Sequence, residues 1–544
     1  NPCGYTDYYF GTLAEAVEIV RKHTIERALA GRRPILCYEM GNENWGQGKT
    51  DWPPEVYAAT VAAYAKAMRA ALADAAREHA PLKDLKLWIT AVGYPLVGNN
   101  QDPTQATDRD VNVRWTREMN ALHDAGLIDA VQDHFYPYST EGTDLLVWSY
   151  HNLQNILFAR RGVANPLLNG YRDDAIAYRM PIEITEWNLK CWGEQRKTGI
   201  PAKNLGFDQG LVCWKVNAKE GTRAEATQAA GQRGPGLRLT VGGKAEQAVL
   251  VYQVFDWKGK KAKRISATAW ARTNKPANLT ASLRTMTAGG ELGPPLAETG
   301  QRRAGRADHW HKLCFGGALP DGTTQLAVAF ELTGPDALAD IDGVELFYWD
   351  AEGGLAPASV DTAAQQLFLV DAIRTMIEHG VRRAHLHHLF GGYPCGIMLP
   401  DGRTKDNYKV FEFYAGRIGT SVVQTVVRCD TFDFECQAAR YATDFNALAP
   451  SVKQVPVISA LAMRDDRAIY LVAINRSTDL PVEATIRIRG ADATGPASER
   501  SLTCIDFDAP GVKLSSRDLP PARERKRRLA PHSAYIFRFD LTIP

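Results

Sequence analysis

"YEMGNENWGQG", residues 38–48, sets an acidic side chain, Glu43, between two asparagines, with a tryptophan and glycines close behind. The apolar run PILCYEM (34–40) leads into it, so the stretch reads as a buried strand that ends by presenting a carboxylate. A carboxylate so placed can cap a helix, hold a metal or act as a catalytic acid, and the rest of the chain has to choose. The same layout returns three times. LKLWITAVGYP (85–95) ends in Tyr94, GLIDAVQDHFYPY (126–138) ends in His134 and Tyr136, and MPIEITEWNLKCW (180–192) presents Glu186.

Helical patterns fill the spaces between these runs. TLAEAVEIVRKHTIERALA (12–30) carries apolar residues at helical spacing, and further helices are expected near 54–79, 111–125 and 144–160. Short apolar runs alternating with helices indicate parallel strands joined by crossover connections. Polar and aromatic side chains at the carboxyl ends of successive strands are the mark of a (β/α)8 barrel, whose reactive groups sit on that face.

Near residue 205 the texture changes. Up to about 354 the chain is Gly-rich, with alternating stretches such as LRLTV (237–241), AVLVYQVF (248–255), RISATAWAR (264–272) and QLAVAFEL (325–332). This is the pattern of an all-β sandwich. Helical spacing returns in DTAAQQLFLVDAIRTMIEHGV (361–381), followed by AHLHHLFGGYP (384–394). The domain reading is therefore a barrel begun in 1–204, a β-jelly-roll inserted at 205–354, the barrel resumed in 355–419, and a C-terminal β-sandwich in 420–544.

Bulk properties narrow the function. At 544 residues the chain exceeds one core. With 45% hydrophobic and 23% charged residues and no long apolar span, nothing suggests a membrane partner. A net charge of +2 gives no electrostatic case for nucleic acid. The basic run RERKRR (523–528) has no interleaved aromatics and reads as a solvated loop. Nine cysteines without a CxxC pair argue against a zinc ribbon or a dense disulfide framework. Cys429 and Cys436 are close enough in sequence to bridge in an extracellular setting. The first twenty residues lack the features of a signal peptide, so localisation stays open, with a secreted or periplasmic place favoured.

Glu43 and Glu186 together suit glycosidic-bond hydrolysis. That chemistry needs one carboxyl to protonate the leaving oxygen and a second to attack the sugar or activate water. A raised pKa favours the acid, and hydrogen bonds keep the nucleophile ionised. Trp45 and Trp187 offer apolar walls for a sugar ring, while Asn42 and Asn188 offer amides for its hydroxyls. The blander reading makes Glu43 a helix cap or an ion-pair partner; the matching setting of Glu186 weighs against it. Glu39 and Glu183 alternate with the catalytic candidates and are assigned to packing or ion pairs.

YEMGNENWG and ITEWN resemble the acid/base and nucleophile signatures of clan A glycoside hydrolases, above all family 51, the α-L-arabinofuranosidases. The resemblance implies that Glu43 is the acid/base at the end of barrel strand four and Glu186 the nucleophile at the end of strand seven. Asn42 becomes the partner of the substrate 2-hydroxyl. DHFYPY is similar to the family's strand-six motif, which makes His134 and Tyr136 pocket residues, with Tyr136 bonded to the nucleophile. The likeness covers 1–204 and 355–541, ending in PHSAYIF (531–537). NLGFDQGLVCW (204–214) and ADIDGVELF (339–347) resemble the opening and close of a jelly-roll carbohydrate-binding module. Within it Trp214, Trp257, Trp270 and Trp310 are candidates for sugar stacking, with a core role the commoner one.

If Glu43 ends strand four, three strands should precede it, yet only 33 residues come before PILCYEM. The barrel's N-terminal strands are therefore expected to be missing from this chain and supplied by a further segment or a separate chain. The resemblance also implies a homo-oligomer. HLHH (385–388) tempts a metal reading, but His385 and His387 share a strand face that His388 does not, and no acidic ligand lies nearby. No metal or cofactor is expected for catalysis; Asp340 and Asp342 are candidates for a structural calcium site, with a turn role as the alternative.

The function expected is that of a retaining glycosidase removing terminal α-L-arabinofuranosyl groups from arabinoxylan or arabinan. A β-xylosidase or endo-acting hemicellulase is the rival within the clan, and a non-catalytic carbohydrate-binding protein the rival outside it.

Overall fold

The computed structural model describes residues 11–45, 52–95, 109–136, 153–188, 197–200, 202–232, 234–244, 246–257, 264–275, 278–296, 301–303, 310–349, 362–389, 396–434, 452–477, 480–489, 495–504, 511–522 and 524–541. The chain divides into two compact units. One comprises Asn1–Tyr136, Ser149–Asn188 and Ala372–Leu389, and the other Pro137–Trp148, Leu189–Asp371 and Phe390–Pro544.

The first unit is built on a five-stranded sheet in chain order: β1 (Cys37–Met40), β2 (Trp88–Val92), β3 (Ala130–Phe135), β4 (Ile182–Trp187) and β5 (Ala384–Leu386). Every neighbouring pair is parallel. Its helices include α1 (Leu13–Val20), α2 (Pro54–Glu78), α3 (Arg109–Asp124) and α4 (Gln154–Arg160). The helical stretch expected at 12–30 runs from Leu13 to Leu29, with a π-helical turn at Arg21–Ile25 between α1 and Glu26–Leu29. Thr12 starts it with a reciprocal capping box to Glu15, which satisfies two otherwise orphaned amides. Of the helix expected at 144–160, the part before residue 153 lies outside the described residues.

Helix α2 begins with Pro54, whose fixed φ and missing N–H suit a first turn. Its Tyr57, Val61, Ala65, Met68 and Leu72 recur every three or four residues and are buried. Trp115 and Met119 of α3 are fully buried too. Fully burying such a side chain contributes about 1.5–3 kcal/mol, so Trp115→Ala would loosen this layer most. Polar tips on these rings also tie the strand ends. The Tyr57 hydroxyl donates to the Met40 carbonyl and accepts the Val92 N–H, while Trp115 Nε1 donates to the Val92 carbonyl at 2.7 Å.

The sheet is strongly rolled. Glu39 on β1 and His385 on β5 come from its two edge strands, yet their side chains approach to 3.9 Å. The pairing registers place Glu39, Thr90, Gln132 and Glu183 on one face, which is therefore the concave one. Deep on that face Glu183 is buried and accepts from Trp88 Nε1, Thr90 Oγ1 and Arg383 Nη1. It serves as an ion-pair and hydrogen-bond hub across three strands.

In the second unit, strands between Lys197 and Trp349 form two six-stranded antiparallel sheets around one apolar core. Trp214 and Trp257 belong to that core, and Trp270 is also buried. A third six-stranded sheet collects strands between Ser421 and Asp540, with Tyr535, Phe537 and Phe539 in its core. The basic run is not a loop. Glu524–Leu529 is a strand paired with Val482–Arg487, because both of its faces meet opposite charge: Arg527 bonds buried Glu499, while Glu524 accepts from Arg487. Asp371, in the part of the helix Ala363–Glu378 that belongs to this unit, forms a buried pair with Arg476 and accepts from the Ser459 hydroxyl. The expected pairing of Cys429 with Cys436 lies outside the described residues. Among those residues no helix is long and apolar enough to cross a membrane.

Candidate active site

Glu186 reaches the concave face through an irregularity in β4. On one side Asp133 pairs with Ile184 and His134 with Glu186; on the other Ala384 pairs with Ile184 and Leu386 with Trp187. Both neighbours thus find one extra residue on β4. This is a β-bulge at Thr185, and a bulge re-aims the side chains that follow it. Strict alternation from Glu183 would send Glu186 to the opposite face. Instead Thr185 bonds Gln132, and Glu186 meets His134 and Tyr136, residues that share the concave face of β3 and its extension.

Glu43 arrives from the turn after β1. Its φ is +50°, a left-handed conformation uncommon for residues other than glycine, and Gly41 two positions earlier has φ +109°. That φ favours glycine at position 41, where an added Cβ would also press on the Asn44 side chain.

His134 joins the two acidic groups. Its Nδ1 lies 2.9 Å from Glu43 Oε1 and 3.7 Å from Glu186 Oε2. Those two oxygens are therefore no further apart than the sum of the distances, about 6.6 Å, which accommodates the about 5–5.5 Å spacing of retaining glycosidases. Tyr136 donates its hydroxyl to Glu186 Oε2 at 2.7 Å. Burial opposes protonation of His134, but the hydrogen bond with Glu43 and the charges of Glu186, Glu43 and Asp133 outweigh it and raise its pKa. Burial first, then the bond to Glu186, push the Tyr136 phenol well up, keeping it a donor. Burial likewise raises the Glu39 carboxyl and lowers the His387 imidazole.

Asn42 is exposed beside Glu43. Trp45 is half-buried, with its ring edge-on to Tyr94 at 6.3 Å. Trp187 is only 1% exposed, because the bulge that turns Glu186 inward turns its successor to the outer face; it offers no open ring for a sugar. Asn188 is buried, and its Nδ2 donates to the His387 carbonyl at 2.6 Å, so it holds β4 to the end of β5. His387, not singled out as a contact beforehand, packs edge-on against Tyr136 at 5.8 Å. Its signal was its shared face with His385. Gln132 and Thr185 were also missed, although Gln132 alternates with His134 and Tyr136.

Among the described residues no group of three or more His, Cys, Asp or Glu could hold a metal ion. In the second unit Asp340 is buried and paired with both Arg238 and Arg272, while Asp342 accepts the Gln232 and Gly343 amides. A cation at Asp340 would have to displace two guanidinium groups. Trp310 is half-buried, with the Arg272 guanidinium 5.0 Å from its ring centre.

Parallel strands with crossover helices, acidic groups at the strands' carboxyl ends and appended β-sandwiches define a mixed α/β architecture of the barrel type with β-rich domains. No protein-family model matches the sequence, and no curated protein matches it. Among solved structures, the chain is similar to the α-L-arabinofuranosidase of Thermotoga maritima in its arabinose complex, with a TM-score of 0.50 and 14% identity over 98% of this chain and 74% of that one. The family 51 α-L-arabinofuranosidase of Thermotoga petrophila is matched with a TM-score of 0.48 and 14% identity, over 97% and 73%. The module TmCBM61, solved with β-1,4-galactotriose, is matched at 14% identity and a TM-score of 0.21, over 27% of this chain and 97% of its own. At 14% identity the Thermotoga maritima likeness establishes a shared fold.

Proposed function

We propose that this chain is a retaining glycoside hydrolase that releases terminal α-L-arabinofuranosyl groups from plant polysaccharides such as arabinoxylan or arabinan. The observation that carries the reading is one imidazole nitrogen, on His134, within 3.7 Å of both Glu43 and Glu186. Two carboxyl groups gathered at the ends of parallel strands suit double displacement. Glu186 attacks the anomeric carbon and forms a glycosyl ester as the bond to the leaving oxygen breaks. Glu43 gives its proton to that oxygen. It then takes a proton from water, whose oxygen attacks the same carbon and frees Glu186.

The surroundings support these roles. The bond from Tyr136 orients the attacking oxygen of Glu186, and the bond between His134 and Glu43 holds the acid/base carboxyl in place beside it. None of the steps requires a metal or organic cofactor. The arabinofuranosyl preference rests on the motif resemblance and on the shared fold with the Thermotoga maritima enzyme.

A panel of 4-nitrophenyl glycosides tests the proposal. The α-L-arabinofuranoside should be cleaved fastest, with wild-type turnover lost in Glu186→Ala. Preference for the β-D-xyloside would move the assignment to the rival enzyme, and absence of hydrolysis across the panel would remove the enzymatic reading.

A further inference from the structure

Gln132 lies on β3 two residues before His134, on the same concave face, and is buried. Both ends of its amide are in use. Nε2 donates to the Gly41 carbonyl at 3.1 Å, and Oε1 accepts from the Thr185 hydroxyl at 2.6 Å. Gly41 begins the left-handed turn that presents Glu43, and Thr185 is the extra residue of the bulge that turns Glu186 inward. One rigid planar group therefore spans the backbone supports of both acidic residues. An amide suits the task, having a donor at one end and an acceptor at the other; an ionised carboxylate offers acceptors alone and a thioether no donor.

We propose that Gln132 is a positioning residue that fixes the spacing of Glu43 and Glu186 by bracing the Gly41 turn against the Thr185 bulge. The inference rests on reading those two glutamates as the catalytic pair. Gln132 acts through the backbone of one and the neighbour of the other, not on the sugar. Its effect should be large for a group outside the reacting atoms, since a misplacement of about 1 Å in such a site costs on the order of 100-fold in rate.

The test uses Gln132→Met and Gln132→Glu in the full chain, assayed beside wild type on 4-nitrophenyl α-L-arabinofuranoside. Gln132→Met should lower kcat at least tenfold while KM stays within threefold and circular dichroism reports a folded protein. Gln132→Glu should be equally impaired at alkaline pH, where its carboxylate faces the Gly41 carbonyl with no proton to donate. It should regain turnover as the pH falls and its carboxyl protonates, a recovery that Gln132→Met cannot show. The groups facing that carboxyl are Glu39 and Glu43 from the β1 side, His134 on β3, Glu183 and Glu186 on β4, and His387 beyond β5. The glutamates among them favour protonation.

If the Gln132 variants do not fold, Thr185→Val removes the hydroxyl donor at constant shape and should show the same loss in kcat. Folded variants with kcat within twofold of wild type at every pH would overturn the inference. An active wild type with unimpaired variants removes only the role of Gln132, whereas an inactive wild type removes the glycosidase reading and this inference with it.

Discussion

The Tyr136 hydroxyl and Glu186 Oε2 meet at 2.7 Å, although their residues lie 50 positions apart on neighbouring strands. A hydrogen bond to a charged group is worth about 1.5–3 kcal/mol. Tyr136→Phe removes it and leaves the ring packing in place. We expect kcat to fall roughly 10- to 100-fold, with the melting temperature little changed, in steady-state assays on an aryl α-L-arabinofuranoside. Unaltered kcat would show that this bond does not tune the attacking group.

His134 should link stability to pH. Its folded-state pKa is raised, so its favourable contribution is complete below the ordinary histidine value and fades as the pH rises through the raised one. His134→Gln should therefore destabilise the protein more at pH 6 than at pH 9, as measured by urea denaturation. Equal losses at both pH values would contradict the charge-linked role.

His379 should act in the opposite sense. Burial comes first, then the charges of Arg161 and Arg374, in depressing its pKa to about 3. As the pH falls from about 6.5 toward that value, the unfolded chain gains a proton that the folded chain refuses, and stability drops by up to about 1.4 kcal/mol per pH unit. His379→Gln, compared with wild type at pH 7.5 and pH 5, should lose less stability on acidification. An unchanged slope would show that other groups govern the response.

Gly41→Ala should damage the turn before Glu43. Its φ of +109° and the crowding of a new Cβ against the Asn44 side chain both oppose a side chain. The cost expected is about 1–3 kcal/mol of stability, with at least a tenfold loss of turnover because Glu43 is displaced. Denaturant titration and aryl-glycoside kinetics check the two effects separately.

Much of this arrangement was legible in the residues. The apolar runs ending at Met40, Val92, Phe135 and Trp187 identified β1 to β4, and the alternation of His134 with Tyr136 put both on one face. The bulge at Thr185 was not legible, since nothing local in PIEITEWN distinguishes a bulged strand from a regular one. A regular strand would leave Glu186 opposite Glu183; the error passes to Trp187 and Asn188, which the bulge and the junction with β5 bury instead. RERKRR misled for a related reason. Charge density suggests a solvated loop, but buried Glu499 is the partner of Arg527 and Arg487 that of Glu524, which only the tertiary pairing reveals. Trp214, Trp257 and Trp270 followed the commoner expectation, because a two-sheet core needs large rings inside, whereas Trp310 stays half-buried beneath Arg272.

Chemical rescue by azide probes the division of labour between Glu43 and Glu186 most directly. Added to Glu43→Ala with an activated aryl α-L-arabinofuranoside, azide should restore turnover and give an arabinofuranosyl azide of the substrate's own anomeric configuration, since two inversions occur. With Glu186→Ala the same anion should attack the substrate itself and give the inverted azide. Products of the reverse configurations, or near-normal hydrolysis by both variants without azide, would contradict the account.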